Sequence, residues 1–117
     1  MKIKDYKDLQ IWQKGIEIAD KIYSVTEGFP KTELYCLISQ MRRASISIPS
    51  NIAEGFARHH SREYKQFLYI SLGSCAELET QLIIANKRNH ITKKKLEELS
   101  EDLNHESRMI VSLINKI

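Results

Sequence analysis

The chain has 117 residues, of which 42% are hydrophobic and 28% charged, so it is long enough for one hydrophobic core and too short for two. Only 4 Gly and 2 Pro are available for tight turns, which argues against a many-stranded sandwich or barrel. The formal net charge of +3 is weak evidence for an anionic partner, and the two cysteines, Cys36 and Cys75, give no disulfide framework. We therefore expect a single domain over residues 1–117.

The N-terminus is charged and lacks the apolar stretch of a signal peptide. The apolar runs of the chain fall far below the roughly 20 residues that a membrane span requires. The sequence therefore predicts a cytoplasmic protein that makes no contact with a membrane.

The first predicted helix runs from about Asp8 to Thr26. Apolar residues recur there at steps of three or four, which is the spacing of one face of an α-helix. Gly28 and Pro30 end this helix, because glycine accepts the left-handed conformation that follows a helix and proline cannot continue one. The apolar face consists of Leu9, Trp12, Ile16, Ala19 and Tyr23, and it is widened by Ile18, Ile22 and Val25.

The second predicted helix begins near Thr32 and ends between Gly55 and Arg58. Pro49 interrupts its pattern, because proline lacks an amide donor and crowds the preceding turn. We expect one helix that is kinked at Pro49. Its apolar face consists of Leu34, Leu37, Ile38, Met41, Ala44, Ile48, Ile52 and Phe56.

The third predicted helix is the longest and extends from about Ser61 to Asn89. Its apolar residues alternate steps of four and three, as in a coiled-coil seam. Further apolar residues lie beside that seam, so more than one face is apolar. These are Phe67, Ile70 and Ile84.

The fourth predicted helix opens with Thr92 as its N-cap and carries apolar residues at heptad spacing as far as Ile117. Glu106 is the one polar residue on that seam, and we expect it near a bundle end or facing a partner subunit. Four long helices with short breaks predict an all-α fold, an up-down-up-down antiparallel four-helix bundle.

Candidate catalytic and metal sites are weak. Ser74 lies in a strongly helical stretch without the second glycine of a nucleophile elbow, and Cys75 lies on an apolar seam. A di-iron bundle site needs two Glu-x-x-His motifs, whereas this chain offers only the half-motif from Asp102 to His105. We expect no catalytic residues, no metal and no cofactor.

The basic residues carry more information. Residues 31–65 hold six basic and three acidic side chains. Their local net charge of +3 equals the net charge of the whole chain. With Tyr64 nearby, these cations predict phosphate contacts and base stacking. In the alternative interpretation they form ion pairs with Glu54 or another subunit, or are only solvated. The candidate nucleic-acid-binding residues are Arg42, Arg43, Arg58, Arg62 and Lys65.

One stretch, residues 40–58, contains the run Ser-Ile-Pro-Ser-Asn-Ile-Ala-Glu-Gly at positions 47–55. Together with residues 8–14, with Phe29-Pro30 followed by Glu33, and with residues 72–79, it resembles the bacterial four-helix bundle proteins that are also called 23S rRNA intervening sequence proteins. The resemblance covers nearly the whole chain in order.

The resemblance implies a small cytoplasmic bundle, in some members encoded within insertions in large-subunit ribosomal RNA genes. Related proteins, including the accessory variability determinant of diversity-generating retroelements, assemble as homopentamers, and that relative binds its reverse transcriptase and nucleic acid through a basic surface. By this resemblance we expect a homo-oligomer, specifically a pentamer, with RNA, DNA or a protein such as a reverse transcriptase as its partner. The family has no established catalytic activity, so no catalytic residues are carried over.

The residues of the run suggest an architectural motif first, an intersubunit contact second and a ligand site third. Pro49 kinks the helix, Gly55 permits a close approach or a helix end, and Asn51 and Glu54 share one face. Gly73 and Ser74 are expected to permit close packing of the third helix in a similar way.

Two functional hypotheses follow. The first is a non-enzymatic, homo-oligomeric bundle that binds nucleic acid, or a protein associated with nucleic acid, through a basic surface. The second is a purely structural scaffold or protein adaptor in which the arginines hold helices together.

Overall fold

The helical periodicity of the sequence produces four long helices in the computed structural model, which describes residues 3–117. A 3-10 turn, Tyr6–Asp8, precedes α1 (Gln10–Thr26). The other three are α2 (Ser39–Ala57), α3 (Ser61–Lys87) and α4 (Lys93–Lys116), and no strand occurs within residues 3–117. The predicted all-α four-helix bundle is confirmed.

Local capping explains where two of these elements begin. The carboxylate of Asp5 accepts a hydrogen bond from the amide of Lys7 at 2.9 Å and starts the 3-10 turn, so α1 begins at Gln10 instead of Asp8. Thr92 caps α4 as predicted, because its hydroxyl accepts a hydrogen bond from the amide of Lys95 at 3.1 Å.

The segment before α2 differs from the prediction. A 3-10 turn, Lys31–Glu33, leads into a π-helical turn, Leu34–Ile38, and regular α-helix begins only at Ser39. A π-turn holds more residues than an α-turn and therefore rotates the chain out of the predicted register. Leu34, expected on the buried face, is consequently 46% exposed, and Tyr35 is 89% exposed.

Pro49 lies inside the continuous helix α2 and is buried. Contacts run in opposite order along α1 and α2: Arg42 near the start of α2 bonds Thr26 at the end of α1, whereas Pro49 faces Gly15. The two helices are therefore antiparallel. The kink at Pro49 and the complete up-down-up-down order remain predictions.

The close approach of α2 to α3 depends on a glycine. A Cβ atom built on Gly55 would lie 2.7 Å from Cβ of Phe67 and 3.1 Å from a ring carbon of Tyr64. Real Cβ atoms do not approach that closely, so only glycine allows this crossing.

The expectation for Gly73 is wrong. A Cβ built on Gly73 would meet no atom within 4 Å, so this glycine does not mediate packing inside the chain. Its neighbour Ser74 is buried, because it lies on the side of α3 that faces α2.

The expectation for Glu106 is also wrong. The side chain is fully buried in the middle of α4, neither at a bundle end nor free to face a partner. Gly15 of α1 explains how it fits, because the missing side chain leaves room for the carboxyl group.

We predict that Gly55→Ala lowers the free energy of unfolding by about 1–3 kcal/mol, because the added methyl group overpacks the crossing of α2 and α3. Urea denaturation at fixed protein concentration measures this. Gly28→Ala is the matched control, since the nearest atom to its Cβ is an ordinary 3.7 Å away. Equal stabilities for the two variants would contradict the close contact at Gly55.

Candidate nucleic-acid interface

The short turn between α2 and α3 concentrates basic side chains at one end of the bundle. α2 ends at Ala57, His59 takes a positive φ of 56°, and α3 begins at Ser61. Every residue from Arg58 to Arg62 is therefore exposed. We call the basic side chains at this end the basic corner: Lys4, Arg58, His59, His60, Arg62 and Lys65.

Arg58 makes only weak contacts within the chain. Its guanidinium lies 3.9 Å from the carboxylate of Glu54, and both side chains are about half exposed. Exposed pairs of this kind contribute little to stability. The guanidinium also lies 5.1 Å from the ring centre of Phe67. Arg58 can therefore exchange Glu54 for a phosphate with little loss of folding stability.

An open cleft of about 510 Å³ adjoins the basic corner. The rings of Phe56 and Tyr64 meet edge to face with centres 6.0 Å apart. The Tyr64 hydroxyl is buried and has no hydrogen-bond partner in the part of the chain that the structure describes, and burial raises the pKa of Tyr64. The cleft is lined by Ile3, Lys4, Phe56, His59, His60, Ser61, Tyr64 and Ile117.

Sequence reasoning identified Tyr64 and the arginines here but missed Lys4 and Phe56. Phe56 could have been found from its place in the sequence, since it lies two residues before Arg58 at the end of α2. No sequence pattern indicates Lys4, because only the packing of the N-terminal segment brings it to this end of the bundle.

Arg42 has a structural role. Its Nε donates a hydrogen bond to the hydroxyl of Thr26 at 2.9 Å, and its guanidinium lies 4.5 Å from the ring centre of Tyr23. Thr26 is buried, and its hydroxyl donates in turn to the carbonyl of Ile22 at 2.7 Å. Arg42 therefore fastens the start of α2 to the end of α1.

Arg43 is exposed and belongs to another part of the surface. With Tyr23 and Ile46 it borders a shallow cleft of about 400 Å³. The helix between Arg43 and Arg58 spans roughly 22 Å at 1.5 Å per residue. The five predicted binding residues therefore do not form one site. Arg58, Arg62 and Lys65 share the basic corner, whereas Arg42 and Arg43 lie away from that corner.

Ser47, the first residue of the run at 47–55, bonds across to α3. The hydroxyl of Ser47 accepts hydrogen bonds from the amide group of Asn51 at 2.9 Å and from the hydroxyl of Ser74 at 2.8 Å. The hydroxyl of Ser71 donates to the carbonyl of Ile48 at 2.9 Å. The bonds from Ser71 and Ser74 join α2 to α3, whereas the bond from Asn51 stays within α2. Glu54 lies on the surface near Arg58.

The side chains considered for catalysis or metal binding are buried or already paired. Burial raises the pKa of the Cys75 thiol to about 12, so it stays protonated at neutral pH. Although burial works against it, hydrogen bonds from Lys21 and Lys14 lower the pKa of Asp102. Within residues 3–117, no three His, Cys, Asp or Glu side chains are grouped to hold a metal ion.

None of the helices described is long and apolar enough to span a membrane.

Comparisons with known proteins identify relatives of the fold. The chain is similar to the crystal structure of a protein of unknown function from the S23 ribosomal protein family of Bacteroides thetaiotaomicron VPI-5482. The TM-score is 0.83 at 22% sequence identity, and the match covers 90% of this chain and 95% of that one. No curated protein matches the chain.

The family model for the 23S rRNA-intervening sequence protein matches residues 7–112. That range includes all of α1, α2 and α3 and most of α4. The chain therefore belongs to the 23S rRNA-intervening sequence protein family.

Proposed function

We propose that this protein binds nucleic acid with unpaired bases, RNA or DNA, through the basic corner and without catalysing a reaction. One observation carries the proposal: exposed cations converge with an aromatic-walled cleft at one end of α2 and α3. Cations that follow a backbone, next to rings on which bases stack, are the usual elements of single-strand recognition.

The exposure of the arginines at the corner supports this proposal, although Glu63 in the first turn of α3 offsets one of its positive charges. Arg58 and Arg62 are exposed, and Glu54, which lies 3.9 Å from Arg58, is held loosely. Phosphates can therefore replace Glu54 and water without breaking the core. Binding of this kind is electrostatic and weakens steeply as salt increases.

We further propose that the protein is a homo-oligomer that presents several basic corners, a pentamer by family resemblance. The side of α3 that faces away from the bundle carries large apolar side chains, with Tyr69 59% and Ile70 50% exposed. We call this surface the α3 stripe: Tyr69, Ile70, Gly73, Ala76, Ile83 and Ile84. These residues lie on one face because they are separated by helical steps of three, four and seven.

Gly73 supports a second copy of the chain as the partner for the α3 stripe. A glycine within a helix costs about 0.5–1 kcal/mol relative to alanine, and Gly73 makes no close contact inside the chain. A neighbouring subunit packed closely at this point accounts for it. Glu77, which lies within the stripe between Ile70 and Ile84, and Arg43 on the α1–α2 side carry opposite charges, which suits a head-to-tail contact that can close into a ring.

A scaffold or protein adaptor without nucleic acid is the second candidate function. The bonding of Arg42 favours it, because that arginine already serves to hold α1 and α2 together. A partner such as a reverse transcriptase would then bind the assembled surface. The two candidates differ in whether charge reversal at the basic corner changes affinity for nucleic acid.

We predict that Arg58→Glu with Arg62→Glu lowers affinity for a labelled single-stranded RNA or DNA at least about tenfold, since it removes two phosphate contacts. The dependence of log K on log salt should flatten by about 1.4. Fluorescence anisotropy between about 50 and 200 mM salt measures both quantities.

The matched control is Lys93→Glu with Lys94→Glu. It makes the same change in net charge at two exposed lysines at the start of α4, about 40 Å away along α3. Binding should stay within about twofold of wild type, as expected for phosphate contacts confined to the corner. No binding by wild type at low salt, or equal losses in both double variants, would refute the proposal.

We predict that Ile70→Glu with Ile84→Glu dissociates the assembly, because the two introduced carboxylates would have to be buried in the subunit contact, which is costly. Light scattering with sedimentation velocity measures the molecular mass. Val111→Glu is the control, since it introduces the same group at an apolar residue of α4 that is 43% exposed. A wild-type monomer, or an oligomer unaffected by the double substitution, would rule out this interface.

A further inference from the structure

Glu106 is the most unusual group in the core. It is fully buried, and neither carboxyl oxygen has a hydrogen-bond partner among residues 3–117. Buried carboxyl groups are normally paired or hydrogen-bonded, because removing them from water is costly. Neither the proposed nucleic-acid binding nor the proposed assembly uses this group.

The surroundings of Glu106 are apolar or neutral on most sides. A Cβ built on Gly15 would lie 3.2 Å from the Oε2 atom of Glu106 and 3.2 Å from Cβ of Pro49, so the carboxyl group packs where α1 and α2 meet. On α3 the thiol of Cys75 lies close enough for the charge of Glu106 to contribute to raising the pKa of that thiol, after the larger effect of burial. Burial raises the pKa of Glu106 to about 8, against the opposing effect of the Lys14 charge.

Lys14 is the charged group on α1 that acts on Glu106, and it is bound elsewhere. Its ammonium group donates to Asp102 at 2.9 Å and lies 3.5 Å from the carboxylate of Glu17. Lys21 donates to the other oxygen of Asp102, also at 2.9 Å. Asp102 and Glu106 lie one turn apart on α4, so Lys14 can transfer between them while Lys21 holds Asp102.

The boundary between α1 and α4, which we call the α1–α4 seam, is less extensive than the contacts of α2 with α1 and α3 or of α3 with α4. Clefts of about 440, 310 and 320 Å³ open along it. Their walls include Ile11 and Met109 near one end, Lys14 and His105 in the middle, and Leu99 near the other. By contrast, α2 and α3 share the most extensive contact of the molecule.

We propose that the α1–α4 seam is controlled by protonation: it is closed while Glu106 is a neutral carboxylic acid and opens to water when Glu106 ionises. On ionisation the proton leaves to solvent, the carboxylate gains water, and Lys14 moves from Asp102 toward it. An open seam exposes the apolar faces of α1 and α4 and leaves the contact of α2 with α3 intact.

The direction of the pH effect follows from the pKa of Glu106. The closed seam favours the neutral acid up to about pH 8, whereas in the opened state the group titrates near its ordinary value of 4.5. Closure is therefore strongest below about pH 4.5 and weakens as the pH rises toward 8. Within this window the opening equilibrium rises by up to about tenfold for each pH unit.

Native-state amide hydrogen exchange on the full chain tests this proposal, with protection factors corrected for intrinsic exchange. Between pH 5.5 and 7.5 we expect protection in the middle of α1 and α4 to fall at least tenfold, while α2 and α3 keep theirs. Glu106→Gln should abolish the change, because the amide has nearly the same shape and does not ionise. Glu106→Leu serves the same purpose if the glutamine variant does not fold.

Glu97→Gln is the matched control, an exposed glutamate of α4 that should leave the wild-type response unchanged. Constant protection of α1 and α4 across this range would overturn the proposal. So would an equal fall in the Glu106 variants, or an equal fall in all four helices, which would indicate global unfolding.

Discussion

The close contact between α2 and α3 is the constraint on which the rest of the structure depends. Gly55 lets the two helices approach until a single methyl group would not fit between them. At that distance the hydroxyls of Ser71 and Ser74 reach the backbone and side chains of α2. Buried hydroxyls stabilise a fold when they are bonded and destabilise it when they are not, so contact and bonding depend on each other.

This arrangement gives the most recognisable part of the sequence a role in helix packing. Ser47 accepts hydrogen bonds from Asn51 in its own helix and from Ser74 of α3, and Pro49 packs beside Gly15 and Glu106. The exposed surfaces are elsewhere, at the basic corner and along the α3 stripe. A function based on binding therefore depends on surfaces that the α2–α3 contact holds in place.

The fold could be predicted from the sequence because periodicity and capping are local properties. Most helix ends could be predicted to within a few residues from the Thr92 cap and the apolar spacing of α1 to α4. The π-turn before α2 could not be predicted, since no local signal distinguishes it from an α-turn. The role of Arg42 and the burial of Glu106 depend on tertiary partners, Thr26 and Gly15, which lie far away in the sequence. For the same reason, a count of basic residues did not reveal that they divide between two places.

A double-mutant cycle on Ser47 and Ser74 tests most directly whether the run at 47–55 serves as an internal link between α2 and α3. Urea unfolding of Ser47→Ala, Ser74→Ala and the double variant should give a coupling energy of about 0.5–1.5 kcal/mol, the usual contribution of one hydrogen bond. Affinity for single-stranded nucleic acid should remain at the wild-type value in all three variants. A coupling energy near zero, or a loss of affinity without a loss of stability, would contradict this account.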